Sequence, residues 1–301
     1  MNNMKSILPL FVLAFALVLN ACSDDSTTGS DTQDPSITEI AAINAQFSTL
    51  VGALQATGLD AALDGDGEFT VFAPTNDAFD ALPEGTLESL TDEQLESILL
   101  YHVIGAEVFS GQLDARQTVE TLNGEEIFIT SGNSGVSVNG SASVTSADIE
   151  ARNGVIHVIN SVILPDAYGT IVDNAAKRYF LSALVDAVIQ ADLVDALLGE
   201  GPFTVFAPTD DAFAAIAGVA SELTVEELTD VLLYHVIQGE VLSSDLQPTQ
   251  QVTALNGASL TIEVSGGSAS VNGSAGITIV DIQGTNGVIH VIDQVLLPPT
   301  E

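Results

Sequence analysis

The chain has 301 residues, of which 46% are hydrophobic, and it carries 41 Asp and Glu against 5 Lys and Arg, for a formal net charge of -36. That apolar fraction supplies packed cores and excludes a disordered chain, and the length suggests about two domains. The charge excludes nucleic acid as a partner, because a phosphate backbone is bound by Lys and Arg that release condensed counterions. Anionic lipid headgroups are disfavoured for the same reason. So dense an acidic surface keeps a protein soluble, and its self-repulsion is screened only where the Debye length is short. The composition therefore reads as adaptation to high salt, with attraction of cationic ligands as the alternative.

Residues 1–22, MNNMKSILPLFVLAFALVLNAC, carry one positive charge at Lys5 and an apolar run from Ile7 to Leu19. The run is too short for a comfortable membrane span and reads as a secretory leader. Cys22 is the only cysteine, so no disulfide can form within the chain. LNAC at 19–22 resembles the bacterial lipobox, with Asn20 an unusual occupant of its second position. The expectation is a signal peptide over 1–21 and an acylated Cys22 that holds the exported chain in the lipid bilayer of the cell envelope, at the outer membrane or cell surface. The acidic stretch 22–35 has almost no apolar residue and reads as a flexible tether.

Beyond the tether the chain is one unit written twice. FTVFAPTNDAF at 69–79 matches FTVFAPTDDAF at 203–213, and YHVI, LNG, VNGSA and NGVIHVI each recur in the same order. A repeat of this length is a tandem domain and not a stacked array. The units are placed at 36–166 and 167–299, joined at LPDAYGT.

In chain order, each unit opens with a helix whose apolar residues fall at helical spacing: Phe47, Leu50, Val51 and Leu54, then Leu181, Leu184, Val185 and Val188. FTVF is a short buried strand. Thr91 with Gln94, and Thr224 with Glu227, are capping boxes that open a second amphipathic helix carrying His102 or His235 on its apolar stripe. Alternating stretches with Asn-Gly pairs at 123–124, 139–140 and 153–154 predict hairpins. Helices first and a meander of strands after predict an α+β domain.

FTVFAPTNDAF, the Tyr-His pair and NGVIHVINSVILP together resemble the fasciclin-like domain family, and the second unit repeats all three motifs. The resemblance covers residues 36–299. It implies two tandem domains, each with roughly seven strands in two sheets forming a wedge or sandwich flanked by helices. It also implies an exported or surface-attached protein that works in adhesion to a surface or matrix protein or a polysaccharide. In the family the Tyr-His pair is proposed as a recognition motif, which carries over to Tyr101, His102, Tyr234 and His235 as candidate partner-binding residues.

The residues themselves favour architecture. His102 and His157 fall among apolar neighbours, where a hydrogen-bonded core imidazole is the default. With His102 inward, helical geometry sets Tyr101 about 100° away at the rim of the apolar face, its hydroxyl reaching solvent. No metal is expected, because no histidine has a ligand-spaced acidic neighbour and DGDGE at 64–68 departs from a calcium loop. Thr75, Asn76 and Asp77, with Thr209, Asp210 and Asp211, read as helix N-termini. No catalytic or cofactor motif is present, so neither an enzyme nor a cofactor is expected. A ligand- or polysaccharide-binding surface module is the alternative function, although zero Trp and 5% aromatics argue against sugar-stacking platforms.

Overall fold

Serine or threonine with an acidic or amide residue three places on opens four of the helices, at Ser36, Thr91, Thr170 and Thr224. The computed structural model describes residues 34–65, 67–83, 85–220 and 222–299, so the leader, Cys22 and most of the tether lie outside the described residues. In the first repeat α1 (Ile37–Ile43), α2 (Ser48–Thr57) and α3 (Leu59–Leu63) precede β1 (Phe69–Pro74). Then come α4 (Asn76–Asp80), α5 (Thr86–Ser89), α6 (Asp92–Tyr101) and the strands β2 (Val103–Ile104), β3 (Arg116–Glu120), β4 (Glu126–Gly132), β5 (Gly135–Val138), β6 (Ala142–Ala151) and β7 (Gly154–Ile159). The second repeat runs identically: α7 (Ile171–Lys177), α8 (Ser182–Gln190), α9 (Val194–Leu197), β8 (Phe203–Pro208), α10 (Asp210–Ala215), α11 (Ala217–Ala220) and α12 (Val225–Tyr234). Its strands are β9 (Val236–Gln238), β10 (Thr249–Thr253), β11 (Ser259–Ser265), β12 (Ser268–Val271), β13 (Ala275–Gly284) and β14 (Gly287–Ile292). Both predicted capping boxes form, with Thr91 opening α6 and Thr224 opening α12.

Each repeat has seven strands hydrogen-bonded in one series, β2-β1-β7-β6-β5-β4-β3 and its counterpart. The long strand β6 serves two halves of this series. Its register shifts between Val144 and Ser146 and again between Ser146 and Ile149, and bulges of this kind bend a strand. One half is β2-β1-β7-β6 and the other β6-β5-β4-β3, which accounts for the two sheets of the expected wedge. The meander is incomplete: β1, first along the chain, pairs in parallel with β7, the last, in register from Phe69 opposite Gly154 to Pro74 opposite Ile159. A Cβ on Gly154 would lie 2.0 Å from the Phe69 carbonyl oxygen, so only glycine lets these strands meet there.

Alternation along β1 and β7 produces two cores. Val71, Ala73, Ile156 and Val158 pack against α1 to α6 with Phe47, Leu50 and Leu99. Phe72 and Ile159 point the other way, into a second core with Ile127, Ile129 and Val138 of the far half. The layers are thus helices, sheet, sheet, and the last turn of α6 enters the seam between the two cores.

Candidate functional site

That seam holds the Tyr-His pair. His102 is the C-cap of α6 and is buried. Its Nε2 accepts from the Ile163 N–H at 3.1 Å, so the proton is on Nδ1, which donates to the Ile98 carbonyl at 2.7 Å. His235 repeats the arrangement with Leu296 and Val231 at 2.9 and 2.7 Å. Burial lowers both imidazoles to about pKa 4, so they are neutral at physiological pH.

Tyr101 departs from the expected rim position: it is 0% exposed and lies in the core between the sheet halves. The physical reason is that α6 ends against the strands, so its final turn is enclosed on both sides. The Tyr101 hydroxyl donates to the Glu126 carbonyl at 3.0 Å and accepts from Asn139 Nδ2 at 2.9 Å. Burial pushes the phenol upward. Tyr234 makes the same bonds to Ser259 and Asn272, both at 3.0 Å. The four residues therefore come together in pairs inside each repeat, and their ring and hydroxyl atoms face protein.

The folding also gathers a Ser, Asp and His that sequence spacing did not reveal. Ser110 donates its hydroxyl to Asp148 Oδ2 at 2.5 Å and its N–H to Oδ1 at 2.8 Å, while His157 Nδ1 lies 3.9 Å from the same carboxylate. Against a burial that would raise it, the Ser110 hydrogen bonds hold the Asp148 carboxyl below its usual range. A nucleophilic relay needs serine bonded to histidine and histidine donating to the carboxylate. Here serine is bonded to aspartate, His157 Nδ1 accepts from the Asp148 N–H at 3.2 Å, and Nε2 meets the Val108 carbonyl at 2.8 Å. Both ring nitrogens are occupied by backbone, and the serine is not activated. Ser243, Asp281 and His290 repeat this wiring.

The polar residues after APT have a longer reach than a cap on their own helix. Thr75 and Thr209 do cap α4 and α10. Asn76 Oδ1 instead accepts from the Thr49 N–H at 3.0 Å and from the Ser48 hydroxyl at 3.2 Å, capping α2, whose own N-cap has no side-chain bond. Asp210 does the same for α8 through Ala183 and Ser182. Asp64 of the acidic turn is paired with Arg152 at 2.7 Å. Among the described residues no three His, Cys, Asp or Glu gather as a metal site.

The largest feature missed from sequence is the junction between repeats. Of five Lys and Arg, three meet there. Lys177 and Arg178, at the C-terminus of α7, bind the Asp166 carboxylate at 2.9 and 2.5 Å. Lys177 lies over the Tyr101 ring at 5.9 Å and Arg178 over Phe128 at 5.1 Å. Tyr179 and Phe180 meet Phe128 edge-on at 6.0 and 5.9 Å, and Arg116 covers Tyr179 at 5.7 Å. A signal existed: KRYF at 177–180 replaces INAQ at 43–46, where the two repeats otherwise run parallel.

The Fasciclin domain model matches this chain twice, at residues 45–165 and 180–298. Periostin of Homo sapiens is 31% identical over 241 residues, covering 79% of this chain and 28% of that protein. The chain thus spans less than a third of that relative's length. Cell surface glycolipoprotein MPB83 of Mycobacterium bovis is 37% identical over 142 residues, 45% of this chain and 62% of that one. A solved FAS1 domain pair from the insect cell adhesion molecule fasciclin I superposes with a TM-score of 0.58 at 20% identity, covering 85% of this chain and 98% of that chain, a likeness of fold. With three sequence motifs twice over, two matching seven-stranded units and the domain model fitting both, the chain belongs to the fasciclin-domain family.

Proposed function

We propose that the chain is an exported adhesion protein of the cell envelope. Acylated Cys22 and the acidic tether hold two fasciclin domains away from the bilayer, and the joined pair contacts a surface or matrix protein or a polysaccharide. The observation that carries this reading is the internal bonding of the histidines and of two serines. Four histidines and both Ser-Asp pairs bond within the protein, which leaves the outer surface as the working part. Fasciclin domains occur in adhesion and matrix proteins, and a relative is named a cell surface glycolipoprotein. The burial of Tyr101, His102, Tyr234 and His235 favours a role in supporting that surface over touching the partner.

Two measurements test the reading. Cys22→Ala should move the protein from the membrane fraction to the soluble one and abolish palmitate labelling. Beads coated with the mature chain should be retained on surfaces bearing matrix protein or polysaccharide beyond uncoated surfaces. Retention equal to the uncoated control would count against adhesion, and equal labelling of wild type and variant would count against the anchor.

A further inference from the structure

The second repeat is hollow where the first is filled. Between α7, α8, α9 and the β8–β14 layer lies a cavity of about 270 Å³. Its lining is aliphatic, drawn from residues such as Ile171, Leu184, Val188, Leu197 and Ile289, and His235 is the one polar side chain among the lining residues. Both nitrogens of His235 are already bonded, to Val231 and Leu296, so the cavity offers a ligand no polar handle. The matching place in the first repeat, lined by Phe47, Leu50, Leu54 and Ile156, encloses about 20 Å³.

Two of the facing positions carry smaller side chains in the second repeat. Phe47, whose ring lines the small cavity, stands opposite Leu181, and Leu54 opposite Val188. Removing buried carbon without collapse of the surroundings leaves a void, and a void of about 150 Å³ lined by Leu, Ile and Phe stays dry and takes up benzene. The cavity here is larger, and it reaches the surface at Ile189, which lines it and is 61% exposed.

The surroundings of the opening set the charge of what can enter. Asp173, Asp186, Asp192 and Asp195 are exposed, and each adjoins a lining residue in sequence: Val172, Val185, Leu193 and Val194. Lys177 and Arg178, at the end of α7, are buried against Asp166. A carboxylate or sulfonate arriving at this rim meets like charge and no counter-ion, whereas a neutral molecule loses nothing. We propose that the second fasciclin domain binds an uncharged apolar small molecule, with a hydrocarbon or terpenoid skeleton about the size of two fused or linked rings, in the cavity between α7, α8 and α9. The first domain does not share this site, and the inference is independent of the adhesive reading.

The test uses the mature full chain and a matched pair of fluorescent probes, neutral N-phenyl-naphthylamine and anionic anilinonaphthalene sulfonate. The neutral probe should bind once per chain, be displaced by dodecanol, and bind at least ten-fold more tightly than the sulfonate, with that ratio narrowing in molar NaCl as the rim is screened. The double variant Leu181→Phe/Val188→Leu, which installs the first repeat's residues, should weaken the neutral probe at least ten-fold and raise the melting temperature. If that variant does not fold, Ile189→Asp at the opening should weaken the neutral probe in its place. Equal binding of the neutral probe to wild type and to the folded variant would overturn the proposal, as would sulfonate binding as tight as neutral. So would sedimentation of a dimer whose formation excludes the probe, since the cavity would then be covered by a second copy.

Discussion

Asp166→Asn keeps the shape of the side chain at the junction and removes its charge. Lys177 and Arg178 retain only 7% and 8% side-chain exposure, and Asp166 retains 21%. Deleting one partner of a fully buried pair costs about 3–5 kcal/mol, because the charge left behind is neither hydrated nor neutralised. Asn retains an acceptor, and Glu125, which accepts from the Asp166 N–H at 2.8 Å, offsets part of the loss. The expected cost is therefore about 2–4 kcal/mol in urea unfolding at neutral pH. Acid titration gives a second signature. Burial would raise the Asp166 carboxyl, but Arg178 and Lys177 outweigh it and hold it below its ordinary 3.8. Burial also pulls the Lys177 ammonium down, opposed by Asp166; the acid faces two cations and the ammonium one principal carboxylate, so the cluster favours the ionised acid. With the folded value the lower one, this contribution is complete above about pH 4 and lost as pH falls through the folded value, a loss the variant should not show. A cost below about 0.5 kcal/mol in Asp166→Asn would refute the reasoning, because the cations would then be adequately solvated without it.

His102 and His235 titrate near 4 when folded against 6.5 ordinarily, so the unfolded chain binds more protons between those values. Stability should fall as pH drops from about 6.5 to about 4, by ~3 kcal/mol per histidine, and His102→Gln should flatten part of that slope. Asn76→Ala removes the only side-chain cap of α2 and should cost about 1 kcal/mol in thermal unfolding, as should Asp210→Ala for α8. With a formal charge of -36, the melting midpoint should climb with NaCl into the molar range, and a midpoint indifferent to salt would remove the high-salt reading.

Local chemistry was legible in the sequence, and long-range pairing was not. Thr91 and Gln94 announce a helix start because a capping box is closed within four residues, and the 3.6-residue rhythm of Leu50, Val51 and Leu54 needs no tertiary information. The parallel partnership of β1 with β7 joins Phe69 to Gly154, and no local pattern encodes it. A helical wheel puts Tyr101 at a rim because it treats the helix alone, whereas the end of α6 is enclosed by strands from much later in the chain. Sequence spacing assigns Asn76 to the start of its own helix, and its partner is the helix before the strand. The Ser110–Asp148 pair crosses from a 3-10 turn at Ser110–Gln112 to a bulge, where Asp148 adopts φ 57, and only the folded chain brings the two together.

The junction also has a direction. Its donor face, Lys177 to Phe180, has no counterpart in the first repeat, where the corresponding residues are Ile43, Asn44, Ala45 and Gln46. Its acceptor face is kept only in part in the second, where Tyr234 matches Tyr101 but Thr249 and Thr261 stand for Arg116 and Phe128. A head-to-tail contact that can be repeated generates open filaments, and this one cannot be repeated by another copy of the chain. Duplication of a unit ordinarily duplicates its complementary ends; here divergence at a few positions has confined that complementarity to one internal handshake, so crowded copies of the chain meet one another with acidic surfaces.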